Sequence, residues 1–185
     1  LPFESYSRFI QSFNDVFQLK AKELQLGFLK LLRGTNLRKQ AEKYGYIYSK
    51  KAPYEVIKNN DISADELDKI RLAEFALEKL WNSNRFSRRM DLLFSNSYNG
   101  QFYQFSYAFG VYYQTQNLPQ FGYQLEDLYL SVHQFLLSQN INILPQLRTD
   151  YYQNFNIRPR GFWESKFTKE EKKQLHYQIG QDKDF

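Results

Sequence analysis

From Met90 to Leu147 the chain carries no lysine and no arginine, and its only charges there are Asp91, Glu126 and Asp127. Thirteen of its aromatic residues, from Phe94 to Phe135, fall inside that stretch. A layer this poor in charge and this rich in rings is either a packed core or the lining of a cavity for a large apolar or planar ligand. Core packing needs fewer assumptions, since A/T-rich codons by themselves raise the share of Phe and Tyr. The flanks carry the charge, with a net +6 from Leu1 to Arg89 and +2 from Arg148 to Phe185 against −3 in the middle, which gives +5 for the chain.

Spacing predicts what the layer is made of. Phe102, Phe105, Phe109 and Tyr112 recur at three- and four-residue steps, flanked by Tyr103 and Tyr107, as on one face of a helix. Leu125, Leu128, Val132, Phe135 and Leu136 trace another helix, and Phe86, Met90, Leu93 and Phe94 a further one. A shorter helix is expected from Leu144 to Phe155, and Thr168-Lys169-Glu170-Glu171 has the spacing of a capping box that opens a polar terminal helix. Leucine outnumbers valine and isoleucine combined, 23 to 13, which favours helix over strand. Gly110, alone inside the aromatic helix, marks either a close helix contact or a kink.

The first part reads differently. Tyr6, Phe9, Ile10, Phe13, Val16 and Phe17 define an amphipathic helix from Phe3 to Lys20. Leu24 to Leu29 reads as a short strand, and Arg33-Gly34-Thr35 as a turn. Asn36 is placed to cap a helix to about Tyr44. Pro53 to Ile57 suggests a second strand, and Ser63 with Glu66 a capping box for a helix to about Asn82. Helix, strand, helix, strand, helix is the alternation of an α/β unit with parallel strands, which two strands alone do not complete. The expected fold class is therefore mainly α: a helical domain over residues 63–185, preceded by a short two-stranded α/β segment over residues 1–62.

Chemistry-bearing residues are few. Cysteine is absent, which excludes disulfides, thiol nucleophiles and thiolate metal sites. His133 and His176 are the two histidines, one on an apolar helix and one on a charged helix. The acidic pairs Asp65/Glu66, Glu126/Asp127 and Glu170/Glu171 each lie near an expected helix start, where the macrodipole favours them without any catalytic role. No nucleophile elbow and no glycine-rich phosphate loop is present. No apolar run approaches the roughly 20 residues of a membrane span. A cytoplasmic protein is expected, and Leu1 in place of Met is expected of a piece cut from a longer chain. Lys79, Arg85, Arg88 and Arg89 form one basic cluster. Only Arg158 to Trp163 sets cations beside rings, so Arg158, Arg160 and Trp163 are the candidates for binding an anion or partner. Elsewhere rings and cations are segregated, and the balance is against nucleic acid as a partner.

Several stretches together resemble the distal part of a radical S-adenosylmethionine barrel. They are Leu1-Pro2-Phe3-Glu4, the helix ending Phe13-Asn14-Asp15-Val16, Leu24-Gln25-Leu26-Gly27-Phe28-Leu29-Lys30, the Gly34-Thr35 turn, and Ala52-Pro53-Tyr54-Glu55-Val56. The last reads as the final barrel strand. The Leu24–Lys30 and Pro53–Val56 pieces are similar to a cobalamin-binding subgroup related to anaerobic magnesium-protoporphyrin IX monomethyl ester cyclases. Its members carry an uncharacterised helical C-terminal domain, which Glu66 to Phe167 resembles, with Trp81-Asn82-Ser83 and Arg148-Thr149-Asp150-Tyr151 as landmarks. The cluster-binding cysteines and the glycine before Leu1-Pro2 are missing. The resemblance thus implies a non-catalytic C-terminal fragment that covers the barrel or shapes its substrate site. The parent would hold S-adenosylmethionine, a 4Fe-4S cluster and cobalamin, and the partners would be the preceding cobalamin and radical domains of the same polypeptide. Gln25, Gly27, Lys30, Tyr54 and Lys58 would face the cofactors, with no metal ligand and no catalytic residue in this chain. A helical module gripping RNA or another acidic partner through Arg158 and Arg160 is the alternative, and a scaffold that self-associates through strand edges is a third.

Overall fold

A computed structural model describes residues 2–86, 98–155, 168–170, 173 and 177. The order is α1 (Tyr6–Gln18), α2 (Asn36–Lys39), β1 (Ile47–Tyr48), β2 (Val56–Lys58), α3 (Ala64–Leu77), α4 (Phe102–Thr115), α5 (Leu125–Ser138) and α6 (Leu144–Phe155). The described residues are mainly α with one small two-stranded sheet among them. No described helix is long and apolar enough to cross a membrane.

Helix α1 starts at Tyr6, where the Ser5 side chain accepts from the Arg8 N–H, and it buries Phe13 and Phe17. Those rings meet α4: Phe17 stacks on Phe102 with centroids 3.7 Å apart, and Phe13 lies edge-on to Tyr103. Asn14 fixes the start of α4. Its Oδ1 accepts from the Tyr103 N–H at 2.9 Å, serving a helix end whose own N-cap, Gln101, supplies no side-chain bond. Thus α1 belongs to the same core as the later helices.

Helix α3 opens on the expected capping box, with Ser63 N–H donating to Glu66 and Glu66 N–H to Ser63 Oγ. Ser63 N–H, and with it Ser63 Oγ, donates to the Glu66 carboxylate and holds that carboxyl below its ordinary range. After Leu77 the helix widens into a π-helical turn, Glu78–Asn82. Its buried face is Ile70, Ala73, Ala76 and Leu77, and the two alanines let α4 lie close. At Gly110 the approach is closest, since a Cβ there would sit 2.3 Å from the Leu72 carbonyl oxygen. Gly110 is a packing glycine within a continuous α4, not a kink.

The aromatic layer is core. Phe102, Phe105, Phe109 and Phe135 are buried against one another, and Leu128, Val132, Leu136 and Tyr151 complete the cluster. Edge-on contacts of Phe135 with Phe105 and Phe109, at 5.7 and 5.4 Å, join α5 to α4.

Two expectations in the first part are corrected. The strands are antiparallel, Ile47 opposite Lys58 and Tyr48 opposite Val56, so they form a hairpin and not a parallel α/β unit. Leu24 to Leu29 is not a strand: its backbone bonds run from Leu24 to the Asn82 side chain and from Leu29 O to Val56 N–H, and Lys30 forms an isolated antiparallel bridge with Glu55. The cause is the short connection: residues 49–55 alone join β1 to β2, turning back through Tyr54 N–H to Lys51 O, too few for the crossover that parallel strands need. Before β1, α2 is a single turn instead of running to Tyr44, and Gly45 at φ 63° redirects the chain, with Tyr46 N–H on Ala41 O. The helix expected around Met90 to Phe94 lies outside the described residues. Of the terminal segment, Lys169, Glu170, Lys173 and Tyr177 are described and are helical.

Candidate functional site

Of the sequence-based cofactor residues, Lys30, Tyr54 and Lys58 lie along one short ladder, while Gln25 and Gly27 lie in the segment before it. Leu31 N–H donates to Tyr54 O and Val56 N–H to Leu29 O, both at 2.9 Å, clamping the end of the extended segment against the arm that leads into β2. Because side chains alternate across a strand, Lys30 and Glu55 share one face, and Leu31 and Val56, buried in one small cluster, share the other. Lys30 is exposed, and its cross-ladder neighbour Glu55 is ion-paired with Arg71 of α3. Lys58 stands at the far end, opposite Ile47. Gln25 is exposed and donates to Glu23, and Gly27 has nothing within 4 Å of where a side chain would begin. The ladder therefore brings the backbones of Lys30 and Tyr54 into neighbouring positions, through the Leu31 N–H on Tyr54 O. Arg158, Arg160 and Trp163 lie outside the described residues.

Tyr54 organises what surrounds it. Its backbone is left-handed, at φ 62°, an uncommon conformation for a bulky residue that costs on the order of 1–3 kcal/mol. The Arg38 and Arg33 guanidiniums lie over its ring at 4.8 and 5.5 Å, and Arg38 also lies 5.2 Å from the Tyr48 ring centre. Arg38 is held by a bond to Leu31 O at 3.0 Å, and Thr35 caps its short helix by accepting from the Arg38 N–H. The turn before Tyr54 is tied by its N–H to Lys51 O, a carbonyl that Ser49 Oγ also reaches. Arg33, Arg38 and Tyr48 escaped the sequence reading. The available signal was the segment from Lys30 to Lys58, which holds eight Lys or Arg, two Glu and four Tyr.

The two landmark motifs have structural work. Asn82 binds both backbone groups of Leu24, accepting from its N–H and donating to its carbonyl at 3.0 Å each, while Trp81 Nε1 donates to Ala21 O. The π turn thereby fixes the approach to the ladder. At the other end, Asp150 is buried at 2% exposure and accepts from Tyr129 Oη at 2.6 Å. Tyr151 Oη donates to Glu126 at 2.9 Å, joining α6 to the start of α5. His133 is half-buried, and burial first, then the nearby Arg148, pushes its imidazole below the ordinary range. Among the described residues no three His, Asp or Glu side chains converge as a metal site would require.

Lysine also serves packing here. The Lys79 ammonium lies 4.2 Å from the Tyr123 ring centre and 4.8 Å from that of Phe75, and donates to Gln120 O and Tyr123 Oη at 2.8 Å. It fastens the connection between α4 and α5 onto the π turn, so this part of the basic cluster is engaged within the fold.

A family profile described as "Protein of unknown function (DUF4080)" matches residues 42–185. No curated protein and no solved structure matches the chain.

Proposed function

Because the chain belongs to the DUF4080 family of proteins of unknown function, with residues 42–185 as the family domain, we propose that it is the distal, non-catalytic part of a cytoplasmic cobalamin-dependent radical S-adenosylmethionine enzyme. The observation that carries this reading is the family domain, which is known in radical S-adenosylmethionine and cobalamin proteins. The resemblance of Leu24–Lys30 and Gly34-Thr35 to barrel segments adds to it. In this reading the helical body covers the barrel or shapes its substrate site, and the ladder of Lys30, Tyr54 and Lys58 is presented toward the cofactors.

The 4Fe-4S cluster itself does not fit these residues, since its ligands are thiolates and the chain has no cysteine. No step of S-adenosylmethionine cleavage is therefore assigned to this chain. What it contributes is positioning. Asn82 and Trp81 tie residues 21–24 to the helical body, so the extended segment and the body move as one piece.

The test is amide hydrogen exchange on a longer protein that contains this chain, with and without S-adenosylmethionine and cobalamin. Exchange across residues 24–31 and 54–58 is expected to slow when the cofactors bind, while α4, already in the core, stays unchanged. Equal exchange in both states across the ladder would overturn its placement at the cofactor cavity.

A further inference from the structure

We propose that Arg33 and Arg38, held over the ring of Tyr54, together with Lys51 of the adjoining turn, form a docking surface for the phosphates of a single-stranded nucleic acid. It draws on nothing in the barrel resemblance, and it gives Tyr54 a role other than facing the cofactors. Lys30 to Lys58 holds a local charge of +6, more than the +5 of the whole chain. Among the described residues the ion pairs both belong to Arg71, with Glu55 and Asp68. No cation of the segment is neutralised by a carboxylate, and one of its two acids is already engaged elsewhere.

Two of these cations are also pre-organised. The ring of Tyr54 carries both guanidiniums, and Arg38 is fixed further by Tyr48 and Leu31 O. A planar guanidinium with its donors free matches phosphate oxygens in pairs, and holding it in place beforehand lowers the ordering cost of binding. Arg33 is exposed and has no hydrogen-bond partner among the described residues. Lys51 is exposed in the turn that Tyr54 closes. Cations interleaved with tyrosines along an extended, exposed hairpin suit a polymer with regularly spaced phosphates. The sequence pattern had suggested such a mixture only at Arg158 to Trp163. Here it is assembled by folding.

The test uses the full chain and a fluorescently labelled polyuridylate of about 12 nucleotides, with affinity followed by anisotropy as salt rises. Binding is expected to weaken steeply with salt. In the Arg33→Gln/Lys51→Gln variant the slope of log affinity against log salt should fall by about 1.4, roughly 0.7 for each lost cation. Arg38 is left intact because it also supports the fold. Lys22→Gln/Lys173→Gln, two exposed lysines outside the cluster, should bind as the parent does apart from a small uniform loss. Circular dichroism melts confirm that both variants fold. Absence of binding at roughly 50 mM salt, an equal drop in slope in both variants, or equal affinity for polyglutamate would each overturn the proposal. So would competition by uridine monophosphate at the same phosphate concentration, which would mark a small-anion site.

Discussion

Replacing Gly110 by alanine is expected to destabilise the protein by roughly 2–3 kcal/mol. Alanine normally strengthens a helix interior by about 1 kcal/mol relative to glycine, so propensity alone gives the opposite sign. Packing decides. The new Cβ would lie 2.3 Å from Leu72 O and 2.8 Å from Leu72 C, and both are backbone atoms of the facing helix that cannot rotate away. Relief requires α3 and α4 to separate, which opens the interface around Ala73, Ala76 and Phe109, all fully buried. A fall in melting temperature of roughly 5–10 °C is expected by circular dichroism. Gly27→Ala is the control, because nothing lies within 4 Å there, and its melting temperature should stay near that of the parent. An unchanged or raised melting temperature for Gly110→Ala would contradict the close contact.

Alkaline pH is expected to unfold the chain. Burial raises the phenols of Tyr46, Tyr98 and Tyr112 above their ordinary value of 10.0, pushes Tyr113 up to about 12, and holds Tyr103 higher still. Tyr103 is further held by its bond to Tyr6, at 2.9 Å between the hydroxyls. The native state keeps these protons at a pH where the unfolded chain has lost them. Above pH 10.0 the unfolded state therefore binds fewer protons, and stability falls as pH rises. Below that value the stabilisation is fully present. A shift from 10.0 to about 12 corresponds to about 2.7 kcal/mol for Tyr113, which is 3% exposed. Four further phenols are shifted in the same direction, so each adds to the loss of stability at alkaline pH. Phenolate absorbance and far-ultraviolet circular dichroism should show an exposed set of tyrosines titrating first. The buried set should then appear together with loss of helix. Titration of every tyrosine near pH 10 with the helices intact would contradict this picture.

The helices were legible because their signals are local. Phe102, Phe105 and Phe109 repeat at helical steps, Ser63 and Glu66 announce a cap, and Leu144 to Phe155 is bounded as its apolar pattern predicts. The direction of the strands was not legible. It depends on how few residues lie between them and on the reversal at Lys51 to Tyr54, and neither alters the alternation of apolar residues. The π turn was equally silent, since its purpose is to aim Asn82 at a backbone 58 residues away. The Arg33, Arg38 and Tyr54 cluster was hidden for a related reason. Its members stand 5 to 21 positions apart, and only the hairpin brings the rings under the guanidiniums. In contrast, the capping role of the acidic pairs was readable: Asp65 and Glu66 open α3, and Asp127 accepts the Gln124 N–H at the start of α5.

The central claim is that this family domain is the distal part of a cobalamin-binding radical enzyme. Its most direct test is the ultraviolet–visible spectrum, with iron and sulfide assays, of the longer natural reading frame purified without oxygen and supplied with cobalamin. The account predicts cluster absorbance that bleaches on reduction, together with cobalamin retained through gel filtration. A longer protein that holds neither iron nor sulfide and releases all its cobalamin would contradict it.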